Sequence, residues 1–345
     1  MKVESMPWDD RVFIIAEAGV NHNGSLDLAK KLIDAAKSTG ADAVKFQTWK
    51  NEEIMGKLTH KVEYIDQATD PEKTLWDILN ELALSYDDFR KLQDYANKKG
   101  ILFLSTPDGF ESLDFLVNEL NIPIIKVGST EITHLQYLSA IAKKKRPIIL
   151  STGLSSLGEV EKAVFVIREQ YQGPLVLLHC NSSYPSPPED MNLRAMTTLE
   201  KAFCIPVGLS DHSEGNEASI AAVAMGAKVI EKHFTLDKDM VGPDHKSSLD
   251  VKEFTELVKS IRNTELLLGD GVKRLTTSEA KNLTGIRRSI VANREISKGT
   301  RLSEEMLTCK RPGTGISPEA MNDLIGLKIN YNISEDELIL WKHFK

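Results

Sequence analysis

Eight short runs rich in apolar and β-branched residues recur along residues 12–234, each followed by a stretch with helical periodicity. They are VFIIAEA (12–18), DAVKFQT (42–48), ILFLST (101–106), IIKVGS (124–129), PIILST (147–152), LVLLHC (175–180), PVGLSD (206–211) and KVIEKHF (228–234). Most are too apolar on both faces for a half-exposed strand, as expected of buried parallel strands. Between them, segments such as SLDLAKKLIDAAKSTG carry a capping Ser25, apolar residues three and four apart, and a closing Gly40. Eight such units within residues 12–268 approach the ~250 residues typical of a (β/α)8 barrel. A doubly wound open sheet is the competing architecture, but no G-x-G-x-x-G turn follows the first run. The expected fold is a TIM barrel.

The pattern changes near residue 270, which predicts a barrel domain over 1–270, a polar linker over 271–284 and a small, mostly β domain over 285–345. The tail's strand signals are SIVA and ELILWKHF. Residues 48–101 carry two helical patterns and read as a decorated second βα connection. Composition excludes several function classes. The net charge is −7 without a long Lys/Arg run, a poor basis for binding nucleic acid. No stretch approaches the ~20 apolar residues of a membrane span. MKVESMPWDD has acids where a signal peptide carries an apolar core. Cys180, Cys204 and Cys309 are odd in number and far apart, which suits a reducing cytoplasm without disulfides or a zinc cluster. A cytoplasmic enzyme is expected.

Barrel enzymes place their chemistry at the C-terminal ends of the strands. Each apolar run here finishes in reactive or polar groups. The first ends at Glu17, followed by Asn21-His22-Asn23-Gly24, and the second carries Lys45 and Gln47 on one face. Next come Ser105 and Thr106, then Lys126, Ser129 and Glu131, then Ser151 and Thr152. The last three give His179-Cys180-Asn181 with Tyr184 beyond, Ser210-Asp211-His212, and Glu231 with His233. The hydroxyls can equally cap the following helices. Lys45 and Lys126 are harder to explain away, because a buried ammonium needs a partner. An anionic ligand, phosphate or carboxylate, is one partner; Glu17, Glu131 or Glu231 is the alternative.

His212 and His233, on neighbouring strands, are candidate ligands for a divalent cation, with water or substrate oxygens completing the sphere. His22 in VNHNG and His245 in GPDHK are rivals, and a core histidine satisfied by a carboxylate would look the same in sequence. Cys180 and Cys204 read as small packing residues.

Taken in order, FIIAEAGVNHNGS, ADAVKFQTWK, FLSTP, IKVGSTEI, PIILSTGLSS, LLHCNSSYPSPPEDMNL, VGLSDHSEG, IEKHFTLDK and GPDHKSSL resemble the sialic acid synthase family. This family comprises the bacterial N-acetylneuraminate synthases with their legionaminate and pseudaminate relatives. KRPGTGISP resembles the family's C-terminal, antifreeze-like SAF domain. The resemblance implies condensation of phosphoenolpyruvate with an N-acetylated hexosamine, N-acetylmannosamine first. A nine-carbon 2-keto acid and phosphate result, with Mn2+ or Mg2+ as cofactor. It implies a phosphoenolpyruvate pocket of Lys45, Thr106, Lys126, Ser129, Ser151 and Ser210. Metal ligands would be His212 and His233, and the acids at the reacting centre Glu17 and Glu131. Sugar contacts would be Gln47, Tyr184, Asp244 and Arg311, the last reaching across a domain-swapped homodimer.

Two departures bear on the sugar. Ser182 stands where family members often have Asn or Thr, and AEAGVNHNG fits the pseudaminate branch less well. A legionaminate-type synthase acting on a 2,4-diacetamido-6-deoxy sugar is the alternative. Two other readings are a metal-free aldolase with a Schiff base on Lys126 or Lys45, and an ice- or sugar-binding tail.

Overall fold

Burial on both faces is seen first in β1 (Phe13–Gly19), all seven of whose residues are buried. It recurs in β2 (Ala43–Trp49), β3 (Leu102–Asp108), β4 (Ile125–Val127), β5 (Ile148–Ser151), β6 (Leu175–Cys180), β7 (Val207–Asp211) and β8 (Val229–His233). This computed structural model describes residues 6–56, 59–61, 65 and 69–345. MKVES of the N-terminal stretch and parts of the second βα connection lie outside the described residues. The eight strands are parallel, in the order β3-β2-β1-β8-β7-β6-β5-β4. Contact between β3 and β4 completes a near-closed TIM-like barrel.

Strand alternation sorts the side chains into two layers. Ile14, Val44, Phe103, Ile125, Leu177, Leu209 and Ile230 join the apolar layer beneath the helices. Phe13, Ile15, Ala43, Leu104, Ile149, Val176, Leu178 and Val229 fill the barrel interior with Trp8. Two residues further along each inward row, the apolar filling gives way to Glu17, Lys45, Thr106, Ser151, Cys180 and Glu231. The floor is therefore dry and the mouth polar.

The helices begin and end where the caps predict. In α1 (Leu26–Thr39), Ser25 Oγ accepts from Leu28 N–H, and Gly40 closes the helix at φ +86°. The long connection after β2 contains α2 (Leu75–Leu82) and α3 (Tyr86–Lys99), capped by Thr74 and Ser85. Ile78 and Leu82 of α2 pack with Val20 and Trp49 at the strand ends, so this connection is part of the barrel.

The chain divides into two compact units, Met1–Gly269 and Asp270–Lys345. In the second, β9 (Ser289–Ala292) pairs antiparallel with β10 (Leu307–Lys310). Ile290, Ile296, Leu302, Ile316, Leu324, Ile329, Ile333 and Ile339 close a core of their own. Part of the 271–284 stretch is helical, with a reciprocal cap between Thr276 and Glu279 opening Thr277–Ala280. ELILWKHF is not a strand. It makes one bridge at Leu338 and then a 3-10 turn over Trp341–Phe344, whose Phe344 packs on the small core. Among the described residues, no helix is long and apolar enough to cross a membrane.

Candidate active site

The two strand lysines meet at the barrel mouth, and carboxylates hold them there. Lys45 Nζ lies 2.8 Å from Glu17 Oε2 and donates to Thr106 Oγ1 at 2.9 Å. Lys126 Nζ donates to Ser151 Oγ at 2.8 Å and lies 3.3 Å from Glu231 Oε1. Glu231 also faces Lys45 at 3.8 Å and accepts from Ser210 Oγ at 3.0 Å. One buried carboxylate thus spans both ammoniums. The glutamate pairing considered from sequence is present, with Glu17 and Glu231 as the partners. The same ammoniums also face the hydroxyls expected to bind an anion.

These charges set each other's protonation. Burial pushes Glu17 up to about 7 against the pull of Lys45, with the Glu231 charge adding to the rise. Burial opposes ionisation of Glu231 too, but Lys126 and Lys45 outweigh it and bring this carboxylate down to about 2. Burial likewise opposes the charge on Lys45, and Glu17 and Glu231 more than offset it, holding the ammonium above its ordinary range. The site keeps one firm anion beside one carboxyl that titrates near neutrality.

A second group forms beside it. The His212 and His233 rings are 5.2 Å apart at 67°, and Tyr184 stacks on His212 at 4.2 Å. His212 donates Nδ1–H to the Asn181 carbonyl at 2.6 Å, which leaves Nε2 with a single 3.4 Å contact to Ser210 Oγ. His233 Nδ1 is buried without a hydrogen bond, 3.4 Å from Asp244 Oδ2. Burial and the neighbouring His212 keep His233 well below its ordinary value and therefore neutral. Such an imidazole pair, one nitrogen orphaned and the other tautomer pinned by a carbonyl, fits a divalent cation. Among the described residues, no set of three or more His, Cys, Asp or Glu side chains is arranged to hold a metal ion. The protein offers two imidazoles, and the remaining positions fall to water or substrate.

Gln47 Nε2 donates to Glu17 Oε1 at 3.0 Å. A Cβ placed on Gly19 would sit 3.3 Å from Glu17 Oε1, 3.5 Å from Asp244 Oδ2 and 3.6 Å from Gln47 Nε2. Glycine therefore keeps open a small space facing three expected contacts. Ser129 accepts from Gly153 N–H at 2.9 Å, and a Cβ on Gly153 would meet both Ser129 Oγ and Ser182 Oγ. Ser182 is thus close to Ser129.

The other residues singled out from the sequence have partners or places of their own. Glu131 lies on a 3-10 turn after β4 and pairs with His134 at 3.0 Å, at the rim. His245 binds Thr235 Oγ1 at 2.7 Å and Asn23 Oδ1 at 3.2 Å, and His22 accepts from Gly24 N–H. His245 thus ties the loops after β1 and β8, whereas His22 is held within the first loop, with its Nε2 buried and without a hydrogen bond. Arg311 belongs to the second unit, where it is exposed beside Pro312. Cys180, read as a packing residue, lies with its sulfur 3.8 Å from His212 Nδ1.

Sequence reasoning missed Asp108. Burial and the Glu131 charge raise its carboxyl to about 7, against the pull of Lys45 and Lys126. The signal was available, since Asp108 stands two residues beyond Thr106 on the same strand.

Residues 32–273 match the model of the NeuB family, and residues 287–345 match the SAF domain. The chain belongs to the NeuB family. It is 45% identical to the N,N'-diacetyllegionaminic acid synthase of Legionella pneumophila, over 96% of this chain and 94% of the relative. The enzyme of the same name from Campylobacter jejuni is 46% identical, over 95% of this chain and 99% of the relative. The crystal structure of N-acetylneuraminic acid (sialic acid) synthetase from Leptospira borgpetersenii, in complex with citrate, is similar at 36% identity and a TM-score of 0.69. That match covers 79% of this chain and 90% of the other. The protein is thus a NeuB-family synthase, of the class that joins phosphoenolpyruvate to an amino sugar to form a nine-carbon acid.

Proposed function

We propose that the barrel mouth binds phosphoenolpyruvate on Lys45, Thr106, Lys126, Ser129, Ser151 and Ser210, and condenses it with an N-acetylated amino sugar. The observation that carries this reading is the convergence of two buried ammoniums, four hydroxyls and an imidazole pair in one polar mouth over an apolar floor. Two cations beside aligned hydroxyls suit a ligand carrying both phosphate and carboxylate. Gln47, Tyr184 and Asp244 face the side where the sugar would lie. Arg311 completes it from the tail of a second copy in a domain-swapped dimer.

C3 of phosphoenolpyruvate attacks the sugar aldehyde, the new C–C bond forms, and C2 takes on positive character. Water adds at C2, and the resulting tetrahedral centre expels phosphate by C–O cleavage. A divalent cation, Mn2+ or Mg2+, held by His212 and His233 supplies Lewis-acid stabilisation of the aldehyde oxygen when bound. Glu17, raised toward neutrality, accepts the proton of the attacking water. Lys45 and Lys126 hold the phosphate and carboxylate against their mutual repulsion, which is chiefly positioning. Glu131, on the rim, is proposed as an acid near the incoming substrate.

Sequence alone put N-acetylmannosamine first as acceptor. The 45% and 46% identities to two legionaminate synthases, against 36% to the N-acetylneuraminic acid synthetase, favour a 2,4-diacetamido-6-deoxy sugar. Mass spectrometry of products from phosphoenolpyruvate with each sugar decides between them. The diacetamido sugar should turn over with the highest kcat/KM, and a preference for N-acetylmannosamine or its 6-phosphate would reverse the assignment.

A further inference from the structure

Each of the two imidazoles follows directly on a buried charge of opposite sign. Asp211 precedes His212 and Lys232 precedes His233, and the two are register partners across β7 and β8. Strand alternation turns them away from the mouth, into the layer between barrel and helices. On that face the preceding outward residues are Leu209 and Ile230, both part of the apolar core. Yet Lys232 Nζ lies 2.8 Å from Asp211 Oδ2 there, with side-chain exposures of 2% and 0%.

The pair is saturated with directed bonds. Asp211 Oδ1 accepts from Ser213 N–H at 2.9 Å and from Ser213 Oγ at 2.6 Å, and Oδ2 accepts from Ser219 Oγ at 2.6 Å. Lys232 donates to the Ser213 carbonyl at 2.8 Å. The His212 carbonyl between them accepts from Ser186 N–H at 2.8 Å. Residues 211–213 are therefore gripped on both sides of His212, and the grip is anchored to the residue before His233. Apolar residues of similar volume would fill the layer at no loss of stability, since a buried ion pair is a weak source of it. They would supply none of these directed bonds.

We infer that the Asp211–Lys232 pair is a positioning device, which fixes His212 relative to His233 at the separation a shared divalent cation needs. The inference rests on the reading of those histidines as metal ligands. Neither residue touches the substrate or the ion. Their effect passes through the backbone of the two ligand-bearing strand ends.

The test uses the full-length chain stripped of metal with chelator, titrated calorimetrically with Mn2+, with thermal melts in chelator alongside. Asp211→Asn and Lys232→Met are compared with the unaltered chain and with His212→Ala. The expected result is Mn2+ affinity weakened by roughly 10–100-fold in both pair variants, the range seen when groups supporting metal ligands are lost. A purely structural pair would lower the melting temperature and leave Mn2+ affinity unchanged, and that outcome overturns the inference. Should either variant fail to fold, Ser219→Ala removes one bond to Asp211 and leaves the ion pair. It should weaken Mn2+ binding in the same direction, and unchanged affinity again overturns the inference. Full Mn2+ affinity in His212→Ala would overturn the metal reading itself.

Discussion

Glu231 Oε1 lies 3.3 Å from Lys126 Nζ in a barrel interior where both side chains are almost wholly buried. The carboxylate also leans toward Lys45, so the mouth holds two cations around one anion before any substrate arrives. A dianionic or trianionic ligand would then be met by ammoniums already desolvated and oriented. The Glu231→Gln variant should be destabilised by about 3–5 kcal/mol, since a buried pair loses one partner. Phosphoenolpyruvate at a hundred times its Kd contributes about 2.7 kcal/mol to the folded state. At one fixed phosphoenolpyruvate concentration, thermal melts should show a larger gain in the variant, whose unpaired lysines bind the anion with a lower Kd, than in the unaltered chain. An equal gain would mean that Glu231 and the ligand do not share the lysines.

Glu17 predicts opposite pH trends for rate and stability. Its folded-state value is raised from 4.5 to about 7, so its contribution to stability is full below pH 4.5 and is lost as pH rises through 7. Its role as proton acceptor needs the ionised form, so kcat should rise across the same interval. Glu17→Gln should lower kcat by about 10²–10⁴-fold and flatten the rising limb. A rising limb that persists in the variant would transfer the role to Asp108 or Asp244, whose carboxyls also titrate upward, to about 7 and about 6.

Much of this was legible in the chain itself. The eight runs from VFIIAEA to KVIEKHF became eight parallel strands because unbroken apolar character leaves little room for a solvated face. Lys45, Thr106, Lys126, Ser151 and Ser210 converge because alternation and a common strand direction place them at one end. Glu131 escaped this logic: β4 stops at Val127, and Ser129–Glu131 turn into a 3-10 helix that carries the glutamate to the rim. ELILWKHF escaped it because a small core can be closed by a helical turn as well as by a strand. The Asp211–Lys232 pair joins residues 21 positions apart through the barrel register, a relation no local pattern reports.

The lysines are predicted not to form a Schiff base. Lys45 is held protonated above its ordinary range, and Lys126 is ion-paired with Glu231. Borohydride added with pyruvate should leave full activity and no adduct mass, whereas chelator should abolish turnover. Trapping of a covalent pyruvyl adduct on either lysine would favour the aldolase reading.

Removing one imidazole should remove the metal. His233→Ala should lose Mn2+ binding and turnover together, while His22→Ala and His245→Ala should keep Mn2+ bound. Normal occupancy in His233→Ala would move the centre to one of those two histidines.

If the tail serves a neighbouring copy, Arg311→Ala and Lys126→Met should each be inactive alone and regain activity as mixed dimers. One site of each such dimer then carries both native residues. Mixing without recovery would place Arg311 outside the site or within its own chain.

The most direct test follows the bridging oxygen of phosphoenolpyruvate labelled with 18O, analysed by mass spectrometry of both products. Attack by C3 followed by hydration at C2 and C–O cleavage sends the label into inorganic phosphate. Label retained in the nine-carbon keto acid would mean that the P–O bond breaks instead, and the proposed chemistry of this barrel mouth would be wrong.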